Sequence, residues 1–422
     1  MLKRRTLIAA AGVLAMPAVP RAQSAKTLTF YYPIAVGGPI QSVIDGYCRD
    51  FASQSGITVT PVYAGTYGET LTKAVTALKA GQGPQLAVLL AAEIHTLQDM
   101  DILLPLDDAT WTSGFYPAFL ANSLVDGKTW SVPFQRSTAI DYYNKTAFAE
   151  VGLDPDAFPT TWDGLTNAAE KLTKRDATGR VTRWGFKLAS DTGNAQWTFG
   201  ALANQNGHVL MNQAGTEVYF NHPKAIEALA FWRGLAFDRK VTPEGTTQWA
   251  SLPPDFLEGN TAIIQSTTGN LTNIRDKAGF PFGVGGLPGR DGVRTVVGGG
   301  NLYMFKQANP AEREAALQFM RFLTLPERAA DWCMKTGYIA TRPDAWETAG
   351  LKAFVAKFPA ADVARGFLPQ ATGELCTFEN QRVQKLLSDQ IQACLSGGKT
   401  PAQAMADAQT EADRVLKPFK RG

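Results

Sequence analysis

Hydrophobic positions along the chain switch between two periods. Thr27 to Tyr32 is a β-branched and aromatic run that ends at Pro33, Gly37 and Gly38, which predicts a strand entering a loop. From Pro39 to Phe51, Ile40, Val43, Ile44, Tyr47 and Phe51 recur at spacings of three and four, the mark of a one-faced helix, and Gly56 stops it. Ile57 to Val62 is the next strand. Strand, helix and strand with short connections imply parallel pairing, because a crossover helix is what joins parallel neighbours. The pattern then repeats, with a helix over Leu71 to Ala80, a buried strand over Gln85 to Leu90 and a helix over Ile94 to Met100. These elements make an α/β lobe.

An extended stretch from Val132 to Tyr143 leads into a second group of helices and strands. Thr161, after Pro159 and Thr160, is placed to cap a helix running through Leu172, and Asn221 and Pro223 open the helix that carries Ala228, Leu229 and Trp232. Gly397-Gly398-Lys399-Thr400 has part of a phosphate-loop pattern, but that pattern needs a glycine where Ala393 stands. Thr400, Pro401 and Gln403 instead read as a capping box with proline at the first helical position, so the glycines end one helix and the threonine starts another.

The 422 residues exceed what one hydrophobic core supports and suit two lobes of roughly 100 to 200 residues each. With 45% hydrophobic and 19% charged residues the chain can bury a large core. The formal charge of +3 leaves no basic field for nucleic acid, and that partner is not expected. Residues 1–25 differ from the rest. Lys3, Arg4 and Arg5 precede an apolar run from Leu7 to Met16, then Pro17, Pro20 and Ala22-Gln23-Ser24-Ala25, which reads as an export signal with the mature chain starting near Lys26. Arg4-Arg5 leaves both the Sec and twin-arginine routes open. The apolar run is shorter than the about 20 residues of a membrane span, and the first cysteine, Cys48, is too late for a lipoprotein anchor. A free periplasmic protein is the expectation.

Cys48, Cys333, Cys376 and Cys394, with His95, His208 and His222, match no zinc spacing, and no metal or cofactor is expected. Pairing of Cys376 with Cys394 stays open beside the simpler reading of buried thiols. An exported hydrolase is the alternative from another class. A nucleophile elbow, an HExxH helix and a histidine–carboxylate cluster are all missing from the sequence, although folding could bring paired carboxylates together.

Several local patterns occur together. Asp141 to Lys145 runs to Gly152-Leu153-Asp154-Pro155 and Pro159 to Trp162; Phe256 to Ala262, Gly286 to Gly289, Gly298 to Gly300, Phe322 to Thr324 with Pro326-Glu327, and Gly337-Tyr338 follow in order. In this order and spacing they resemble the family 1 extracellular solute-binding proteins of ABC transporters over nearly all of the mature chain. Tyr63 to Tyr67, Pro133-Phe134 with Ser137-Thr138, Thr267 to Leu271 and Lys335 to Tyr338 make the bacterial glycerol-3-phosphate-binding proteins the nearest likeness within that family.

The resemblance implies an α/β, two-lobed periplasmic-binding-protein fold of class II type. Its three interlobe crossings would lie near residues 135–140, 286–290 and 340–350. Residues 26–137 and 290–345 would form the first lobe, and 138–289 and 346–422 the second. It further implies a monomer that closes on a small solute without changing it chemically, and an ABC permease at the inner membrane as partner. Carried over position by position, the contacts fall on Tyr67, Ser137, Thr267, Gly299, Tyr338 and Arg382. The family's carboxylate falls on Ala91, with Glu93 nearby as a substitute, and an ungapped count back from Thr400 puts Gln384 in place of Arg382. Arg136 offers a further charge beside Ser137. Trp197 adds an aromatic face, and aromatic faces with an arginine fork suit a sugar or phosphate ligand. Glycerol 3-phosphate or a glycerophosphodiester is the implied solute, and a neutral oligosaccharide is the alternative.

Overall fold

The structure is a computed structural model that describes residues 27–106, 113–290 and 292–420; residues 1–25, read from the sequence as an export signal, and Lys26 lie outside the described residues. Strand β1 (Thr27–Tyr32), helix α1 (Ile40–Ser55), strand β2 (Thr58–Tyr63), helix α2 (Tyr67–Lys79), strand β3 (Leu86–Leu90) and helix α3 (Ile94–Asp99) follow in order. Both β2 and β3 pair parallel to β1. Helix α1 buries Ile40, Val43, Ile44, Tyr47, Cys48 and Phe51, and ends where Gly56, at φ 73°, takes the left-handed conformation that favours glycine. Helix α2 starts earlier than its apolar period suggests, because Thr66 and Glu69 form a capping box in front of it.

Strand β4 (Ser131–Asn144) is buried along its whole length. Beyond it come α4 (Trp162–Leu172), β5 (Val181–Lys187), α5 (Ala195–Gln205), α6 (Pro223–Phe237), β6 (Thr261–Thr267), β7 (Phe282–Gly285) and β8 (Thr295–Met304). The first half of β4 pairs antiparallel with β8, up to Thr138 opposite Val297. From Ala139, opposite Thr267, it pairs with β6 instead. One strand therefore serves two sheets, and β8 continues into the first by pairing with β3. The chain closes with α7 (Pro310–Leu323), α8 (Pro326–Thr336), α9 (Asn380–Leu395) and α10 (Pro401–Leu416), the last started by the Thr400–Gln403 capping box.

Two cores flank the shared strand. One packs Leu28, Phe30, Val132, Phe319 and Trp332; the other packs Trp162, Phe186, Phe199, Trp232, Leu387 and Ala408. Each fully buried Leu or Phe stabilises its core by about 1.5–3 kcal/mol. A third cluster packs Ile140, Tyr142, Ile274, Ala330 and Trp346. Three contacts join segments far apart in the chain. Trp249 Nε1 donates to Ala35 O at 3.3 Å, the Asn380 N–H donates to Thr96 Oγ1 at 3.1 Å, and His95 stacks on Phe378. All four cysteines are buried and unpaired, and burial pushes the Cys333 thiol up to about 12, so it stays protonated and unreactive. Among the described residues no helix is long and apolar enough to cross a membrane.

Candidate functional site

A cavity of about 480 Å3 lies where the two sheets meet, and Tyr67, Ser137, Trp197, Thr267, Gly299 and Tyr338 all line it. That volume falls within the roughly 300–1,000 Å3 typical of pockets that enclose small organic ligands. A second cavity of about 310 Å3, between His208–Gln213 and Thr372–Leu375, holds none of these residues.

Local structure explains the convergence. The Thr66 N–H donates to Glu69 Oε2 at 2.7 Å and the Glu69 N–H to Thr66 Oγ1 at 3.4 Å, which fixes the first turn of α2 with Tyr67 at its tip. Gly298 to Gly300 lie opposite Ser137 to Gln135 in the ladder. Gly299 has φ 93°, and an added Cβ would lie 2.1 Å from Gln135 O. An added Cβ on Gly298 would meet the Trp197 indole at 2.8 Å, and one on Gly300 would meet the Tyr67 ring at 2.9 Å. The triplet is therefore bare so that two aromatic rings can rest on the strand. Trp197 is held there by donating to Val297 O at 3.2 Å.

Tyr338 follows Gly337, the left-handed cap of α8. Its hydroxyl accepts from Gln135 Nε2 at 3.1 Å, one face of its ring stacks on Trp332, and Gly269 packs against the ring. The Tyr67 hydroxyl lies beside that of Tyr338, and burial there pushes its ionisation well above the ordinary phenol range. Thr267 ends β6 and caps the short turn that follows by accepting from the Gly269 N–H. Tyr67 and Tyr338 thus share one cavity with Thr267.

Two predicted residues do not line the cavity. Along β4 side chains alternate, so with Gln135 and Ser137 facing Tyr338 and the cavity, Arg136 turns to the other face. There it is fully buried, donating to Gly299 O at 3.2 Å and lying over the Phe119 ring at 5.5 Å. Its Nε and Nη2 have no partner among the described residues. Arg382 is exposed, because Gln381, Gln384 and Lys385 form the face of α9 that meets the cavity. Gln384, weighed from the sequence as its substitute, lines the site.

Sequence reasoning missed Trp249 and Glu374. Asp191 accepts from the Trp249 N–H at 2.6 Å and from Asn194 Nδ2 at 2.7 Å, so a single carboxylate organises two loops of the rim. Glu93 and Glu374 line the cavity and are almost completely buried. Burial lifts the Glu93 carboxyl to about 7, against hydrogen bonds from Asn380, Gln381 and Thr96; burial lifts Glu374 to about 8, against the Arg136 charge and with Glu93 adding repulsion. Lys385, at the exposed rim, is the one lysine or arginine of the lining and pairs with Asp389 at 2.6 Å. Among the described residues no group of His, Cys, Asp and Glu could hold a metal ion.

Two sheets sharing a strand, with aromatic rings, hydroxyls and amides from both sides converging on a cleft, are the arrangement of a protein that captures a small solute between lobes. A family model, bacterial extracellular solute-binding protein, matches residues 46–360, and the chain belongs to that family. It is 26% identical to the sn-glycerol-3-phosphate-binding periplasmic protein UgpB of Escherichia coli K12, covering 98% of each chain. UgpB from Mycobacterium tuberculosis in complex with glycerophosphocholine superposes with a TM-score of 0.84 at 22% identity, covering 94% of this chain and 99% of that one. An ABC transporter solute-binding protein from Thermotoga lettingae bound with alpha-D-tagatose gives 0.80 at 22% identity, covering 93% and 100%. The fold is the two-lobed one of ABC solute-binding proteins, and the protein works in the periplasm, where its relatives do. The family implies a small-molecule ligand and a membrane permease as partner.

Proposed function

We propose that this protein is the monomeric capture component of an ABC importer and that it closes over a glycerophosphodiester without altering it. Residues 26–137 with 290–345 form one lobe in this reading, and 138–289 with 346–422 the other. The observation that carries it is the make-up of the cavity wall: Tyr67, Trp197, Trp249 and Tyr338 offer faces for C–H surfaces, Ser137 and Thr267 offer hydroxyls, and Lys385 is the only cation. A phosphodiester carries one negative charge. A phosphate monoester carries close to two at neutral pH, since its second pKa is about 6, and calls for an arginine fork that this wall lacks. The full-length likeness to glycerol-3-phosphate-binding relatives supports the glycerol part of the ligand, and the wall favours the diester over glycerol 3-phosphate itself.

The same lack of a guanidinium favours one second reading, a neutral oligosaccharide. Calorimetric titration with sn-glycerol 3-phosphate, a glycerophosphodiester and a neutral disaccharide separates them. Tightest binding of the diester supports the proposal. Binding of the disaccharide alone moves the solute to sugars, and release of glycerol or a free sugar during incubation would turn the reading toward the hydrolase.

A further inference from the structure

The start of α3 forms a joint between two cores. Its Ile94 and Leu97 pack with Leu71, Leu89 and Tyr303, whereas Phe378, just before α9, packs against the core of Trp162, Phe186 and Leu387. Three side chains cross the joint. Glu93 Oε1 accepts from Asn380 Nδ2 at 3.5 Å, Thr96 Oγ1 accepts from the Asn380 N–H at 3.1 Å, and the His95 ring lies on the Phe378 ring with centroids 5.1 Å apart and planes 29° from parallel. The backbone is shaped around that imidazole. Gly215 has φ 66°, and an added Cβ would lie 2.6 Å from His95 Cδ2 and 2.9 Å from Cys376 O, so the position is bare where the ring comes closest. The Phe378 N–H donates to Gly215 O at 3.0 Å, which fixes the loop against the stack. Helix α9, which starts at this joint, carries Gln381, Gln384 and Lys385 into the cavity wall.

His95 is 6% exposed, and its Nδ1 has no hydrogen-bond partner among the described residues. A neutral imidazole tolerates that, because one of its nitrogens carries a lone pair. An imidazolium donates from both nitrogens and would bury an N–H with nothing to receive it. We infer that neutral His95 is a positioning residue for α9, and that its protonation loosens the joint and frees the cavity residues the helix carries. Solute capture is thereby weakened by acid, a consequence that rests on the proposed closure over the solute.

The ionisable groups around the ring come from several segments. Burial holds His95 below the ordinary histidine range, against the charge of Asp126 on the exposed turn between Val125 and Lys128. From the segment before α9, Cys376 is pushed up to about 12 by burial and stays a thiol, Glu374 is lifted to about 8, and Glu379 is exposed. Glu93, on the turn that precedes His95, is lifted to about 7. Residues 212–216 bring no charged side chain. A histidine whose folded pKa is lowered gives the joint its full strength above about pH 6.5 and withdraws it as pH falls, by up to about tenfold per unit. The two raised carboxyls act in the opposite sense, so the part of the histidine is read by difference.

Amide hydrogen exchange at Phe378 and Asn380 reads the joint without any solute. Wild type is compared with His95→Phe, which keeps a ring on Phe378 and cannot charge, at about pH 8 and about pH 5. Because both acids titrate alike in the two proteins, the ratio of wild-type to variant opening is expected to rise about tenfold or more between these conditions. A ratio constant to within about twofold overturns the inference. The wild type alone gives a second reading that survives a misfolded variant: by imidazole NMR, His95 titrating below about 6.5 supports the inference, and titration at or above that value overturns it. Calorimetric titration with sn-glycero-3-phosphoglycerol, whose charge is constant over this range, is expected to show wild type losing affinity with acid relative to His95→Phe. Equal losses overturn the link to capture; if the diester does not bind at all, the substrate reading fails separately and exchange still decides the joint.

Discussion

Replacing Trp249 by phenylalanine removes one N–H from the contact between the lobes while keeping an aromatic ring in its place. The indole is half-buried, meets Trp197 edge to face with ring centroids 5.7 Å apart, and donates to Ala35 O at 3.3 Å from the far side of the cleft. In an open form water satisfies both groups, so the hydrogen bond counts only toward closure. A net worth of about 0.5–1.5 kcal/mol for such a bond makes the closed state roughly 2- to 13-fold less populated. Apparent affinity falls by that factor because the solute selects the closed state. The Trp249→Phe variant is expected to lose about the same factor for every solute in calorimetric titration, with its unliganded thermal midpoint unchanged. Unchanged affinity for all solutes would refute the closure reasoning; a loss confined to one solute would mean that the indole acts by touching that solute.

Gly299→Ala forces a residue at φ 93° and drives a methyl to 2.1 Å from Gln135 O, a backbone atom that cannot step aside; conformational strain of about 1–2 kcal/mol and overpacking of about 1–3 kcal/mol predict a loss of roughly 2–5 kcal/mol in denaturant unfolding, and wild-type stability would contradict the tight ladder. Asp141 is fully buried, with neither carboxylate oxygen partnered and Gln265 Nε2, its neighbour across the ladder, also without a partner among the described residues. Burial raises its folded pKa well above the ordinary carboxylate range, so it is neutral in the fold and its contribution is lost as pH rises, at up to about 1.4 kcal/mol per pH unit. Asp141→Asn should therefore gain stability over wild type at pH 8 and lose the gain toward pH 4, and parallel pH curves would count against it. Arg382→Ala should leave solute affinity within about twofold, whereas Gln384→Ala, which removes a cavity amide, should weaken it by about 0.5–1.5 kcal/mol; the reverse ranking in titration would return the site to the arginine.

Much of the fold was legible because single elements carry their own signals. The α1 face from Ile40 to Phe51 and the Gly56 stop are both written in residue order, and helix and cap follow them. The start of α2 was missed by one turn, since its apolar period begins at Leu71 while the capping box at Thr66 sets the first residue. The shared strand was readable as an extended stretch from Val132 to Tyr143, but its change of partner at Ala139 depends on β6 and β8, far along the chain. For the site, likeness to relatives led to Tyr67, Ser137, Thr267, Gly299 and Tyr338, which folding gathers around one cavity. Arg136 and Arg382 were misplaced by side-chain phase, one by strand alternation and one by helical rotation. Strand parity against Ser137 could have flagged the first. Glu374 sits in a loop and Trp249 opens a three-residue 3-10 turn, both too short to show a periodicity, so nothing in residue order marks them.

The most direct test of capture by closure is small-angle X-ray scattering of the protein alone and saturated with the solute that calorimetry identifies. A smaller radius of gyration on binding, with the protein still monomeric, is the predicted result. A solute that binds in the cavity and leaves the radius unchanged would contradict it.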